Sequence, residues 1–338
     1  MNKKKLNILF RTSGGRATLK ELGFGHIFRS LNLAKFLIDQ RIFFLVEDYG
    51  GVEPLLKKYN SHVTFIKKNL DVKSDILQTI DVISEKKIDI VIVDKFNTSK
   101  SYLKEIKKFS KVVYVSDLNK IDYPCDLLVN GYIGFKNKKS KNKYGSTCLL
   151  GPSYQILHPN FSQHLKIKKK YDFLITFGGF DEKRIIKNIL DEIIKLSSAY
   201  KIKLILGPGT FVSSSILNFI KRNHKGIVIS QETNDMHKEI SLSKYGICSG
   251  GLTTYEFASQ EVPFAIICQV RHQLTTAKEW EKLGIAKNLG LMSQKTKKNI
   301  IQFIKTSSDT NTFLVKKNFL DGLGGKRVAK EIIKLKKL

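Results

Sequence analysis

The sequence predicts an α/β protein built from two doubly wound domains, and three features of the chain carry that prediction. Short runs rich in β-branched residues alternate with helical patterns twice along the 338 residues. Several runs, such as 89–94 and 264–268, are almost continuously apolar, which is typical of parallel strands covered by helices on both faces. Between 159 and 170, a proline and a lysine-rich stretch interrupt the alternation and indicate a domain boundary.

Each half contains six predicted strands. They span 6–12, 41–48, 62–67, 89–94, 111–117 and 126–130 in the first half, and 171–178, 201–206, 226–231, 245–250, 264–270 and 285–289 in the second. We expect an N-terminal domain at 1–160 and a C-terminal domain at 165–338, with the last helix packing back on the N-terminal domain. Ligands of such sheets bind at the carboxyl ends of strands, so two halves facing each other are expected to form a central cleft.

A glycine-rich turn follows the first predicted strand. It reads Gly23-Phe24-Gly25-His26 and leads into a helix expected from His26 to about Ile38. Glycines let the backbone pass close to a ligand, and the first N–H groups of a helix attract an anion, so His26 is expected to face whatever binds there. The alternative is a tight turn in which His26 only caps the helix.

A second strand-to-helix turn carries small residues, hydroxyls and a carboxylate. It reads Ser249-Gly250-Gly251-Leu252-Thr253-Thr254-Tyr255-Glu256. Glycine N–H groups and hydroxyls at a helix start form a nest for phosphate oxygens, and a glutamate one turn later can accept both hydroxyls of a ribose. The pattern indicates a nucleoside diphosphate site, although it is neither a Walker loop nor a dinucleotide fingerprint. An ordinary strand-to-helix turn is the alternative.

Composition is that of a globular protein, with 42% hydrophobic and 26% charged residues. No apolar run approaches the roughly 18 residues of a membrane span, and the N-terminus leads straight into a strand, so we expect a cytoplasmic protein. The four cysteines lie far apart without a C-x-x-C pair, which suggests neither disulfides nor a zinc site.

The net charge of +29 resembles a nucleic-acid signal, but the residue types argue against one. The 59 basic residues are 51 lysines and 8 arginines, spread along almost every predicted helix face. Proteins that bind nucleic acids favour arginine and concentrate charge on one stripe, so we expect no nucleic-acid partner. The lysine runs 136–143 and 166–170 are candidates for weak contact with an acidic partner or a membrane surface.

The motifs together resemble those of a family, the nucleotide-sugar hydrolases of pseudaminic acid biosynthesis. These enzymes release UDP from UDP-2,4-diacetamido-2,4,6-trideoxy-β-L-altrose and share the GT-B fold of the MurG-type glycosyltransferases. The resemblance covers most of the chain. It rests on Gly23-Phe24-Gly25-His26 with Arg29, Val115-Ser116-Asp117-Leu118, Cys125 to Asn130, Gly151-Pro152-Ser153-Tyr154, Phe177-Gly178-Gly179 with Asp181, Cys248 to Glu256, Val262-Pro263, Gln273 and Asp321-Gly322-Leu323-Gly324.

This resemblance implies that water cleaves the bond between the anomeric carbon and oxygen, with UDP as the leaving group. His26 matches the family's catalytic histidine and would act as general base on the water, a role that suits imidazole because its ordinary pKa lies near neutrality. Asp117 is the second catalytic candidate. Asp94 and Asp181 also end or closely follow predicted strands and are weaker candidates, since such aspartates are as often helix caps.

The resemblance also assigns ligand-binding residues. The nucleotide would be held by Gly178, Gly179, Ser249, Gly250, Gly251, Leu252 and Thr253, with Glu256 on the ribose. The sugar side would be lined by Gly25, Arg29, Phe96, Tyr154, His272 and Gln273. We expect no metal ion or other cofactor, and a monomer.

Three positions depart from the family pattern. His272 stands where the hydrolases usually have Asn, Phe96 stands where they often have Tyr, and the first strand ends without the acidic residue common there. All three fall on the sugar side, so the nucleotide half of the resemblance is intact. Two functions therefore stay open: a hydrolase of a UDP-linked amino-deoxy sugar, and a glycosyltransferase using a nucleotide donor. A non-catalytic or nucleic-acid-binding protein is the outsider.

Overall fold

The computed structural model describes residues 5–15, 23–57, 62–179, 185–196, 199–208, 210, 212–231, 233–307 and 319–335. The chain divides into two compact units. Unit 1 comprises Met1–Pro159 with Gly322–Leu338, and unit 2 comprises Asn160–Asp321. Within the described residues, no helix combines the length and the apolar character that crossing a bilayer requires.

Unit 1 alternates strands and helices. In chain order its first elements are β1 (Asn7–Gly14), α1 (Gly25–Lys35), β2 (Arg41–Asp48), α2 (Glu53–Lys57), β3 (His62–Ile66), α3 (Val72–Glu85), β4 (Ile90–Asp94), α4 (Lys100–Ile106), β5 (Lys111–Val115), β6 (Leu127–Asn130), β7 (Lys138–Lys141) and β8 (Thr147–Leu150). The strands form one sheet in the order β3-β2-β1-β4-β5-β6-β8-β7. All neighbouring strands are parallel except β7 and β8.

Strands β7 and β8 lie where the sequence pattern predicted no strand, so that part of the prediction is wrong. β7 is the edge strand and consists of Lys-Lys-Ser-Lys, mostly exposed. Its backbone pairs with β8, but it buries no apolar face, so it has no hydrophobic periodicity to detect. Charged side chains on an edge strand also hinder pairing with other molecules.

Side chains of β1 and β4 alternate between two differently covered faces of the sheet. One face packs against α1, where a Cβ added at Gly14 would lie 2.7 Å from Ile27 Cγ1. The other face packs against α3 and α4, and Leu9, Val91 and Val93 lie in that core cluster. Because the alternation has period two, consecutive residues at a strand end address opposite faces.

Unit 2 contains a second doubly wound sheet. Its elements are β9 (Tyr171–Thr176), α5 (Ile185–Leu196), β10 (Ile202–Leu206), α6 (Ser214–Asn223), β11 (Ile227–Gln231), α7 (Met236–Ser241), β12 (Ser243–Cys248), α8 (Leu252–Ser259), β13 (Phe264–Cys268), α9 (Gln273–Lys282), β14 (Ala286–Leu291) and α10 (Gln294–Thr306). The strand order is β11-β10-β9-β12-β13-β14, all parallel. Two mainly parallel sheets flanked by helices confirm the predicted fold class.

The last helix, α11 (Gly324–Lys334), belongs to unit 1 and packs against α1 and the 3-10 helix Pro152–Tyr154. A Cβ at Gly324 would lie 2.1 Å from the carbonyl oxygen of Gln155, so only glycine fits this approach. Arg327 Nη1 adds a hydrogen bond of 3.1 Å to the Ser153 carbonyl oxygen.

Candidate active site

His26 lies in the first turn of α1, directly beside Asp94 at the carboxyl end of β4. His26 Nδ1 is 2.6 Å from Asp94 Oδ1. Burial raises the pKa of Asp94, but the Arg29 guanidinium and His26 outweigh burial and hold that pKa below its ordinary value. The carboxylate is therefore ionised and can only accept, so Nδ1 carries the hydrogen and donates it. The neutral ring then has its lone pair on Nε2, the arrangement of a general base.

Arg29 lies one helical turn after His26, on the same face of α1. Its Nε donates to Asp94 Oδ2 at 2.8 Å and its Nη2 to Asp94 Oδ1 at 2.7 Å, a bidentate pair. Its Nη2 is also 3.2 Å from His26 Nδ1. Since both of those nitrogens carry hydrogen, this third distance is a contact and not a hydrogen bond.

Asp117 meets Arg29 from the other side. Arg29 Nη1 donates to Asp117 Oδ1 at 2.7 Å. The Asp117 side chain is 53% exposed, whereas that of Asp94 is 1% exposed. Burial lowers the pKa of Arg29, but the two carboxylates outweigh burial and raise it, so the guanidinium stays charged between them.

The carboxylate in contact with His26 is therefore that of Asp94. The sequence had favoured Asp117 over Asp94 as the catalytic carboxylate. One sequence signal favoured it: Asp94 is the last residue of a buried strand, whereas Asp117 lies two residues beyond the end of β5. The remaining weak candidate, Asp181, lies outside the described residues.

The other residues of unit 1 that were predicted to line the sugar side are Gly25, Phe96 and Tyr154. Gly25 begins α1, and the space around its missing Cβ is open to 4 Å. Phe96 lies two residues after Asp94, is 38% exposed, and its N–H donates to Ser13 Oγ at 3.3 Å. Tyr154 is half-buried at the end of the 3-10 helix that contacts α11.

In unit 2, Ser249, Gly250 and Gly251 connect β12 to α8. A Cβ added at Gly178, just after β9, would lie 4.0 Å from Ser249 Oγ, and so would one added at Gly251. Gly178 has φ +75°, a conformation that favours glycine. Gly251 is the N-cap of α8, where the first N–H groups of a helix have no acceptor within the helix.

The second predicted glycine, Gly179, follows in the same turn as Gly178. Gln269, directly after β13, holds this turn, and Gln273 at the start of α9 holds Gln269. Gln269 Nε2 donates to the Phe177 carbonyl oxygen at 2.9 Å, and the Gln269 N–H donates to Gln273 Oε1 at 2.8 Å. Gln273, predicted as a sugar ligand, therefore also holds the backbone that follows β13. His272 beside it is exposed at the N-cap of α9.

A buried chain of hydrogen bonds supports the start of α8. Thr254 Oγ1 donates to the Gly251 carbonyl oxygen at 2.8 Å and accepts from Trp280 Nε1 at 3.0 Å. Trp280 is fully buried and packs edge-on against Tyr255, as expected for a core residue. The geometry of the glycine turn thus depends on α9 as well as on α8.

Glu256 lies one turn into α8, half-buried. Burial raises its pKa to about 7, partly offset by a hydrogen bond with the Thr253 side chain. Its carboxyl group and the Thr253 hydroxyl are therefore neighbours on the same helix face.

Within the described residues, no group of three or more His, Cys, Asp or Glu side chains is arranged to hold a metal ion.

No protein-family model matches the chain. Three curated relatives are each 28% identical to it. Spore coat polysaccharide biosynthesis protein SpsG of Bacillus subtilis matches over 282 residues, covering 80% of this chain and 81% of that protein. UDP-2,4-diacetamido-2,4,6-trideoxy-beta-L-altropyranose hydrolase of Campylobacter jejuni matches over 284 residues, covering 82% and 97%. An uncharacterized protein of Methanocaldococcus jannaschii matches over 267 residues, 74% of this chain but only 54% of its own length.

Solved structures with the same architecture cover nearly the whole chain. MurG of Acinetobacter baumannii superposes with a TM-score of 0.61 at 14% identity, covering 98% of this chain and 100% of that one. The MnaA–UDP structure from S. aureus gives 0.65 at 13% identity, covering 98% and 97%. The resemblance to the nucleotide-sugar hydrolases and MurG-type enzymes is therefore confirmed, and so is the GT-B fold.

Proposed function

We propose that the protein is a nucleotide-sugar hydrolase that releases UDP from a UDP-linked amino-deoxy sugar. The observation that carries this proposal is the contact of 2.6 Å between His26 Nδ1 and Asp94 Oδ1, which leaves Nε2 as a base. The named activity of the Campylobacter jejuni relative supports the reaction. The Bacillus subtilis relative supports a role in surface-glycan biosynthesis, of which a pseudaminic-type acid pathway is the specific form that we propose.

In this proposal, unit 2 holds the nucleotide. N–H groups of the Gly250–Thr253 turn and the positive end of α8 bind the diphosphate, whose charge must be spread for UDP to leave. The Glu256 carboxylate accepts hydrogen bonds from the ribose hydroxyls. Gly178 and Gly179 allow the backbone to approach the ligand closely.

Unit 1 supplies the base. His26 Nε2 takes a proton from water as the water oxygen bonds to the anomeric carbon, and the bond from that carbon to the UDP oxygen breaks with its electron pair going to UDP. The imidazolium formed donates through Nδ1 to Asp94, which stabilises the new charge. Arg29 keeps Asp94 ionised and oriented, and Asp117 holds Arg29 from the solvent side.

A glycosyltransferase is the second candidate, because the same base could deprotonate an acceptor hydroxyl instead of water. The GT-B fold does not separate the two reactions. A hydrolase needs no acceptor, so it should release UDP in buffer alone, whereas a transferase should require an added sugar or lipid-linked acceptor. A monomer, a cytoplasmic location and weak membrane contact through the lysine runs stay predictions.

The test is UDP release from a panel of UDP-linked acetamido and diacetamido deoxy sugars without acceptor. The unmodified protein should turn over at least one of them, and His26→Gln should be slower by about 10² to 10⁴-fold, the usual share of general-base catalysis. His164→Gln, the same change at an exposed position in unit 2, is the matched control and should retain full activity. UDP release that appears only with an acceptor would instead identify a transferase.

A further inference from the structure

A second charged cluster lies on the face of the unit 1 sheet opposite to His26. It consists of Arg11, Glu47, Asp75 and Lys95, and we refer to it as the Arg11 cluster. Arg11 Nε donates to Asp75 Oδ1 at 2.9 Å and Arg11 Nη2 to Glu47 Oε2 at 2.7 Å. Lys95 Nζ is 2.8 Å from Asp75 Oδ2. Two positive and two negative charges thus balance.

This cluster is deeply buried. Arg11 is 0%, Asp75 4% and Glu47 8% exposed, and the Lys95 side chain is 10% exposed. Lys95 Nζ lies 4.9 Å from the centre of the Tyr102 ring. Burial and the nearby Arg11 charge lower the pKa of Lys95, while Asp75 opposes that shift.

Stability alone is a poor explanation for such a cluster. Desolvating charges is costly, and well-packed apolar residues commonly replace buried ion pairs with no loss of stability. Ion pairs differ from apolar contacts in direction, because each fixes the position of specific atoms. A buried, balanced cluster therefore suggests that some atom nearby must be held in place.

The atom is identified by the order of residues at the end of β4. Asp94 and Lys95 are consecutive, so their side chains point to opposite faces of the sheet. Asp94 contacts His26 and Arg29 on α1. Lys95 contacts Asp75 on α3. Ion pairs therefore hold this backbone from both faces. A shift of the Lys95 end would rotate the peptide that carries the Asp94 carboxylate.

We propose that Lys95, anchored by Asp75, is a positioning residue that sets the Asp94 carboxylate against His26 Nδ1. Lys95 touches neither the base nor the reacting atoms, and acts through the Asp94–Lys95 peptide. Its effect on turnover rests on the proposed function. Its effect on the His26 ring does not, because the Nδ1–Asp94 hydrogen bond exists without substrate.

The experiment reads the imidazole directly. In protein labelled with nitrogen-15 at histidine, long-range proton–nitrogen spectra distinguish the two neutral tautomers, and comparison with His26→Gln identifies the His26 signals among the seven histidines. The unmodified protein should show hydrogen on Nδ1. Lys95→Met should shift His26 toward a mixture with the Nε2–H tautomer, and Lys95→Arg, which can still pair with Asp75, should restore the original spectrum.

Lys108→Met is the matched control, since Lys108 pairs with Glu105 on the exposed face beyond α4 and should leave the His26 signals unchanged. If Lys95→Met does not fold, Lys95→Gln, which is neutral and one bond shorter and so loses the ion pair with Asp75, should give a tautomer shift in the same direction. A His26 spectrum unaltered in a folded Lys95 variant overturns the proposal, whether or not the protein hydrolyses a nucleotide sugar. Where hydrolysis is measurable, kcat should fall by up to about 100-fold with little change in KM.

Discussion

Asp94→Asn should reverse the tautomer of His26 while leaving the shape of the side chain nearly unchanged. The two Asp94 oxygens accept from Arg29 Nε, Arg29 Nη2 and His26 Nδ1. An amide has one oxygen and one NH₂ group, so the NH₂ must face either Arg29 Nε or His26. The NH₂ opposes an Arg29 N–H in either orientation, Nε at the Oδ2 position and Nη2 at the Oδ1 position, but only at the Oδ1 position can it also donate to an acceptor, His26 Nδ1, so we expect it there. Nδ1 then accepts, the hydrogen moves to Nε2, and the base is lost.

Two terms set the size of this effect. Losing a charge-assisted hydrogen bond to the imidazolium costs about 1.5–3 kcal/mol, which corresponds to roughly 10- to 150-fold in rate. The wrong tautomer adds to that loss, and the same substitution in a Ser-His-Asp triad lowers kcat by about 10⁴-fold. We therefore expect Asp94→Asn to lower kcat by between about 10² and 10⁴-fold.

The assay is the initial rate of UDP release at saturating substrate, with UDP affinity measured by calorimetry to show that unit 2 is unaffected. Asp117→Asn is the comparison, because it alters a half-exposed partner of Arg29 and should change kcat by no more than about fivefold. If Asp94→Asn kept its rate within a few-fold, the assignment of Asp94 would be refuted. If Asp117→Asn were the slower of the two variants, Asp117 would be the catalytic carboxylate.

Four further predictions concern unit 2 and the sugar side. Glu256→Ala should weaken UDP binding by about 1.5–3 kcal/mol in calorimetry. Because the pKa of Glu256 is raised from 4.5 to about 7, the folded chain holds a proton there that the unfolded chain has lost, so thermal stability should fall as pH rises across that interval and Glu256→Gln should remove this slope. Thr254→Val should leave the buried Trp280 indole N–H without its hydrogen-bond acceptor and lower the free energy of unfolding in urea by about 1–3 kcal/mol. Thr254→Ser should preserve both stability and UDP binding. The unmodified protein should hydrolyse the family's usual diacetamido-trideoxy-altrose nucleotide weakly, and the double variant Phe96→Tyr, His272→Asn should gain activity; rapid turnover by the unmodified protein would remove the significance we give to these positions.

Local sequence patterns were sufficient to predict the two mainly parallel sheets and both glycine-rich turns, because buried strands and turn glycines leave such patterns. The run Ile-Val-Ile-Val alone predicted β4, since a strand covered on both faces is apolar throughout. No local pattern predicted β7, because this exposed, lysine-rich edge segment forms a strand only by pairing with β8.

Which charged side chains pair with one another could be seen only in the folded chain. Asp94 ends β4, so strand alternation fixes its direction toward α1, whereas Asp117 lies beyond β5, where alternation no longer fixes a side chain. Arg11 pairs with residues 36 and 64 positions away. Glu47 meets Arg11 because β2 pairs with β1, and Asp75 meets it because α3 packs on that face of the sheet; no local pattern records either long-range arrangement.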